Sequence, residues 1–189
     1  MGMPAPLPST KWTAERVRAL PDDGKRYEVI DGELLVTPAP TWEHQRAALA
    51  LAYRMYGYLG AHLVGEIIVA PANVEFGLDT MIEPDLFVVP LVEGRRPRTW
   101  EDVKRLLLAV EVLSPSTARA DRHAKRLLYQ RERVPEYWIV DVDARLIERW
   151  RPDDSRPEIT VDKLEWQPDA GTQPLIIDLE AYFKEVCVA

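Results

Sequence analysis

Cysteine is almost missing from these 189 residues, and the single one, Cys187, stands near the end of the chain. One thiol closes no internal disulfide and supplies no cysteine-rich zinc cluster, which excludes a disulfide scaffold and a zinc finger. Long apolar runs are missing as well: none approaches the ~20 residues a membrane-spanning helix requires. The opening, Met1 to Thr10, is rich in proline and lacks the basic, apolar, small-residue order of a secretory signal. A cytoplasmic protein with no membrane partner is therefore expected. Repeats and low-complexity tracts are absent too. Nor is there an overall positive charge: 31 acidic against 24 basic side chains give −7, which argues against indiscriminate adhesion to nucleic acid.

What is present suits one globular domain, since 47% hydrophobic content over this length can bury a continuous core. The expected division is an N-terminal extension over 1–25 and a single domain over 26–189. Charge is unevenly spread. Met1 to Gly94 carries 7 basic and 13 acidic side chains, Arg95 to Arg133 carries 11 and 5, and Val134 to Ala189 carries 6 and 13. The basic middle fits either a solvated helix face or a phosphate-facing surface.

Two β-prone runs, Arg26 to Ile30 and Glu33 to Val36, flank Asp31-Gly32, a pair suited to a tight hairpin. Thr41 can cap a helix in which Ala48, Leu51, Ala52, Met55, Tyr58 and Leu59 recur at helical spacing, with Gly60 as its expected end. Leu63 to Val69, Asn73 to Phe76 and Ile82 to Val89 read as three strands, and Thr99 to Lys104 as a short helical turn. Leu106 to Leu113 is an apolar run of the kind found in a central strand covered on both faces. Ser116 or Thr117 can cap a helix to about Arg133, which Pro135 closes. Tyr137 to Val140 is another buried-strand pattern. Leu146 to Trp150 and Ile159 to Trp166 read as outer strands, and Leu179 to Val186 as a final helix. The order predicts an α/β fold, a mixed β-sheet flanked by helices with an N-terminal β-hairpin.

Glu111 interrupts a run that otherwise reads as fully buried, and a buried carboxylate needs a cation, a hydrogen-bond network or a metal. It could also lie at a strand end that reaches water beside Ser114-Pro115. Asp85 sits at the head of a second apolar strand. Two carboxylates on neighbouring strands can share a hard divalent ion such as Mg²⁺, although a residue after Pro84 often serves only at strand entry. On the helix that follows Glu111, Asp121, Lys125 and Tyr129 are spaced by four and lie in one line. An exposed ion pair explains that spacing equally well, but the helix leaves the Glu111 strand directly and can fold back over its end. Arg119, Arg122 and Arg126 flank Lys125 as candidate DNA-phosphate contacts or as a solvated face. Tyr137, Trp138, Trp150 and Trp166 fit packing better than base stacking.

From about Tyr27 to Asp141 the chain resembles the Uma-type family of putative restriction endonucleases, within the PD-(D/E)xK nuclease superfamily. The likeness is densest over Val110-Glu111-Val112-Leu113-Ser114-Pro115-Ser116-Thr117, then Asp121, Lys125 and Tyr129, then Val134 to Asp141. Upstream it includes Tyr27 to Leu34, His44 and Pro84-Asp85. The resemblance implies a restriction-endonuclease-like core with Asp85 and Glu111 as the metal-binding carboxylates. The superfamily pattern places a lysine two residues after the glutamate, where this chain has Leu113. Lys125, which matches the family's helix lysine, would take its place. Where the family often has a glycine after the helix, this chain has Arg133, which argues against a left-handed stop.

The expected activity is hydrolysis of DNA phosphodiesters, with 5′-phosphate and 3′-hydroxyl ends implied by the superfamily resemblance. Asp85, Glu111 and the carbonyl of Val112 would hold Mg²⁺ or Mn²⁺, and Lys125 would orient water or offset charge building on the phosphate. His44 and Glu33 are secondary candidates through the same likeness. DNA is the expected partner, and a two-fold homodimer is the simplest way to cut both strands. The rival reading is a catalytically inactive nuclease-fold module that binds nucleic acid or a protein.

Overall fold

The computed structural model describes residues 11–187. Asp31 and Gly32, with φ of 53° and 85°, turn β1 (Arg26–Ile30) into β2 (Glu33–Thr37) with Ile30 opposite Glu33, the two-residue hairpin anticipated from the sequence. Helix α1 (Ala14–Arg18), which sequence reasoning did not foresee, precedes them. Its Ala14 and Val17 pack on Val29 and Met81, and five residues are too few to show a helical period.

Thr41 caps α2 (Trp42–His62), its hydroxyl accepting from the His44 amide at 3.3 Å. The helix runs past Gly60, its expected end, and stops at Leu63 with φ of 53°. A glycine costs a helix interior only about 1 kcal/mol, and the buried Tyr58 and Leu59 beside it hold the last turn against the core.

The strands β3 (Gly65–Val69), β4 (Val74–Gly77), β5 (Thr80–Ile82) and β6 (Leu86–Pro90) follow. The single strand expected from Ile82 to Val89 is thus two strands in different sheets, because Glu83-Pro84 breaks the ladder between them. After a 3₁₀ turn (Trp100–Asp102) comes β7 (Leu108–Val112), buried at every position. Helices α3 (Ala118–Ala120) and α4 (Arg126–Arg131) are joined by a π-helical turn (Asp121–Lys125) into one continuous rod. Thr117 makes no side-chain cap there; its hydroxyl accepts from the Ser114 amide at 3.2 Å instead. Arg133 adopts the left-handed conformation after all, with φ of 55°, and the Val134 amide donates to the Tyr129 carbonyl across the stop.

The remaining elements are β8 (Glu136–Asp141), β9 (Leu146–Trp150), β10 (Glu158–Thr160), β11 (Lys163–Trp166), β12 (Leu175–Asp178) and α5 (Leu179–Val186). The run from Ile159 to Trp166 also divides at a bend, so β10 joins the main sheet while β11 pairs with β12. β12 escaped sequence reasoning because its four residues carry no turn signal of their own.

The main sheet has the order β10-β9-β8-β7-β6-β3, with β7 and β8 parallel and its other neighbours antiparallel. A four-stranded sheet, β2-β1-β5-β4, carries the hairpin. One face of the main sheet packs on α2, α5 and the β11–β12 pair. The opposite face packs on the hairpin sheet and the α4 rod through Ile30, Ile82, Phe87, Leu128 and Tyr129. This is the mixed sheet flanked by helices that the sequence predicts.

Exposed Arg145, in the β8–β9 turn, is held at φ of 52°. Left-handed backbone costs an L-residue roughly 1 kcal/mol and glycine nothing. Arg145→Gly should therefore raise stability by about 0.5–1 kcal/mol in urea unfolding. A midpoint that stays put or falls would show that the arginine carries no strain.

Candidate active site

Antiparallel pairing of Leu86 with Val110 carries Asp85, the residue before β6, to the position facing Glu111 of β7. The Val112 amide donates to Asp85 Oδ2 at 2.8 Å, which fixes that carboxylate against the β7 backbone. His44, in the first turn of α2, donates from Nε2 to the same oxygen at 3.0 Å. Arg26 of β1 donates to Asp85 Oδ1 at 2.8 Å and to Glu83 at 2.8 Å. Three elements far apart in sequence thus close on one buried carboxylate.

Lys125 forms the second half. Its ammonium lies 2.9 Å from Glu111 Oε1, 3.0 Å from Glu28 Oε1 and 3.7 Å from Asp121 Oδ1. The Tyr129 hydroxyl donates to Glu111 Oε1 at 3.1 Å, and Glu28 Oε1 also accepts from the Glu83 amide at 2.8 Å. Asp121, Lys125 and Tyr129 therefore do share a line, and that line faces inward: all three are buried, not an exposed ion pair. The π turn between Asp121 and Lys125 widens the helix at this point, as π turns often do beside functional groups. Leu113, where the superfamily pattern puts its lysine, packs with the apolar cluster on the hairpin side. The amine arrives from the following helix instead.

Charge is unbalanced here. Glu28, Asp85, Glu111 and Asp121 are all buried, against the two cations Arg26 and Lys125. Burial works to raise the Asp85 carboxyl, but the His44 contact and the charges of Arg26 and Lys125 outweigh it and hold it at about 2. Burial pushes Glu111 well above the carboxylate range; Lys125 opposes this, and Asp85, Asp121 and Glu28 add to it. Asp121 is raised to about 6, chiefly by burial, against the pull of Lys125 and of the nearby Thr117 hydroxyl. Burial would lower Lys125, yet Glu111, Glu28, Asp121 and Asp85 together raise it, so the ammonium stays charged at neutral pH.

Among the described residues no three of His, Cys, Asp and Glu form a ready metal cage. A hard ion such as Mg²⁺ needs none, being held by one or two carboxylates and its own waters. The donor chemistry fits such an ion. Both Asp121 oxygens and His44 Nδ1 are buried without a hydrogen-bond partner. A cleft of about 390 Å³, lined by His44, Val112, Ser114, Arg122 and Asp141 among others, borders the cluster.

Other sequence candidates lie differently. Glu33 is exposed on β2, and it is Glu28, five residues earlier, that reaches Lys125. Arg122 is spent on Asp141 and Glu148 at 3.0 and 2.6 Å. Arg126 stacks 4.8 Å from the Trp150 ring and bonds Gln130. Arg119 alone of the three stays exposed. Sequence reasoning missed Arg26, Glu28 and Glu83. Alternation along β1 was the available signal: Tyr27 and Val29 face the α1 cluster, leaving Arg26 and Glu28 to point the other way.

A solved structure from Anabaena variabilis, described as a putative nuclease belonging to DUF820, superposes with a TM-score of 0.71. It shares 17% sequence identity, and the match covers 93% of this chain and 99% of that one, which establishes the common fold. No curated protein matches. The family model Uma2, putative restriction endonuclease, matches residues 14–179, and the chain belongs to that family.

Proposed function

We propose that the protein is a metal-dependent endonuclease that hydrolyses DNA phosphodiester bonds. The observation that carries this reading is the meeting of Asp85 and Glu111 at facing ends of β6 and β7, with the Lys125 ammonium 2.9 Å from Glu111. Asp85, Glu111 and the Val112 carbonyl would hold Mg²⁺ or Mn²⁺. That ion would supply Lewis acidity toward the phosphodiester and a water of lowered pKa.

The chain's own groups do the rest. Lys125 acts as a fixed cation and donor, because its raised pKa leaves no lone pair to accept a proton at neutral pH. It orients the attacking water or offsets the negative charge that builds on the phosphate. Arg26 and His44 keep Asp85 ionised and immobile. Water adds to phosphorus, the bond to the 3′ oxygen breaks, and the chain ends are a 5′-phosphate and a 3′-hydroxyl. Family membership supports nuclease chemistry in general, and DNA as substrate is part of the proposal.

An inactive binding module is favoured by one fact: each oxygen of Asp85 already has a partner within the chain. Supercoiled plasmid separates the two readings. With Mn²⁺ the protein should yield nicked circles, EDTA should stop it, and Asp85→Asn should abolish both nicking and the calorimetric Mn²⁺ signal. Absence of a Mn²⁺ signal in the parent protein, or nicking indifferent to Asp85→Asn, rejects the endonuclease.

A further inference from the structure

The outer face of α2 carries an apolar stripe that nothing else among the described residues covers. Trp42, Leu49, Tyr53, Tyr56 and Leu63 are 80%, 70%, 80%, 60% and 69% exposed, five of the fourteen large apolar side chains left in solvent among the described residues. Their concentration on one helix and its C-cap, Leu63, is not the scatter expected of an ordinary surface. The spacing 49, 53, 56, 60, 63 advances by four and three in turn, which is the seam of a coiled coil, with Gly60 at one seam position. The inner face of the same helix packs on β3, β7, α5 and β12 through Ala47, Leu51, Met55 and Leu59. One helix thus presents two apolar faces, and only one has a partner within the fold.

We infer that the stripe is the interface of a homodimer in which α2 packs antiparallel against α2 of a second copy. Three features favour a copy of this chain. A heptad seam is complementary to itself, as a two-fold interface requires. The area is adequate: fully buried, large side chains of this kind cover ~150–250 Å² each, so five at these exposures offer roughly 700 Å² per copy. A standard interface takes ~800 Å² per partner. Third, the sizes match in the antiparallel sense. A two-fold axis near Tyr53 sets Tyr53 against Tyr53, Leu49 against Tyr56, and Trp42 against Leu63. Apart from the backbone of its own helix, no atom lies within 4 Å of where a Gly60 side chain would begin. A groove of about 250 Å³ lined by Tyr56, Gly60, Leu63, Ile67 and Leu91 opens beside it. Trp42 of one copy so comes to lie over the end of the other copy's helix, beside the groove that Gly60 and Leu63 line. A parallel pair would oppose tryptophan to tryptophan and glycine to glycine.

The inference does not depend on nuclease activity, so either can fail alone. Sedimentation velocity of the full chain at micromolar concentration should give twice the 21.6 kDa chain mass. Tyr53→Glu should give the single-chain mass with an unchanged far-UV spectrum. In a Cys187→Ser background, Tyr53→Cys should oxidise to a disulfide-linked pair and Trp42→Cys should not. A monomeric parent protein, the result if the residues before Lys11 or a different protein cover the stripe, overturns the proposal. So does a dimer that survives Tyr53→Glu, and cross-linking through Trp42→Cys overturns the antiparallel arrangement.

Discussion

Replacing Lys125 by methionine is expected to lower the unfolding free energy by about 3–5 kcal/mol, the scale seen when one member of a buried ion pair is removed. The substitution keeps the length and most of the volume of the side chain, so little of the loss can come from a cavity. It comes from Glu111, Glu28 and Asp121, whose carboxylates lie 2.9, 3.0 and 3.7 Å from the ammonium and would be left buried without it. At 2–4 °C per kcal/mol for a chain of this size, the melting temperature should fall by about 10 °C.

The pH dependence tests the cause. Without the cation, the folded-state pKa values of Glu111 and Asp121, already raised by burial, rise further. A raised carboxyl contributes stability that is complete below its unfolded value and lost as pH climbs through its folded one. The deficit of Lys125→Met should therefore be large at pH 8 and small near pH 4. Adding Glu28→Gln to it should restore part of the loss, since one uncompensated charge is then gone. A deficit that is equal at both pH values, or unaffected by Glu28→Gln, would mean that packing and not charge makes Lys125 indispensable.

Much of this centre was legible in the chain because burial of a carboxylate leaves a trace in one dimension. Glu111 stands out inside Leu106 to Leu113, and Asp85 at the head of an apolar strand. Asp121, Lys125 and Tyr129 show a helical line that the structure turns inward. Local chemistry also announced the hairpin at Asp31-Gly32 and the final helix, whose bounds agree. Hidden were the features that depend on which sheet a strand joins. Neither the break at Glu83-Pro84, which sends β5 to the hairpin sheet, nor the bend after Thr160 can be read from composition alone.

Arg26 and Glu28 escaped for a related reason. On a hairpin with one solvated face they would be ordinary surface residues; here that face closes over β6 and β7, and both become partners of the acids. Arg122 shows the converse. The basic run suggested a phosphate contact, but the helix turns Arg122 toward Asp141 and Glu148, which neutralise it within the fold. The sign of a charge is visible in sequence, whereas its partner is a property of the tertiary structure.

Glu111→Gln should separate stability from activity, in contrast to Lys125→Met. The glutamine is nearly isosteric and imitates the protonated carboxyl that burial favours. Lys125 keeps Glu28 at 3.0 Å, and Tyr129 can still donate to the amide oxygen. In EDTA the parent protein should lose stability as pH rises through the elevated value of Glu111, because a raised carboxyl stabilises the fold only while protonated. The variant lacks that loss, so at pH 8 its unfolding midpoint should equal or exceed the parent's. Mn²⁺ should reverse the order, since an ion held by Asp85 and ionised Glu111 stabilises only the chain that binds it. Nicking should meanwhile fall by ~10² or more, the scale of losing one preorganised electrostatic group at a transition state. A Glu111→Gln protein that unfolds easily in EDTA would show that the carboxylate holds the fold together. One that nicks plasmid at the parental rate would remove Glu111 from the chemistry.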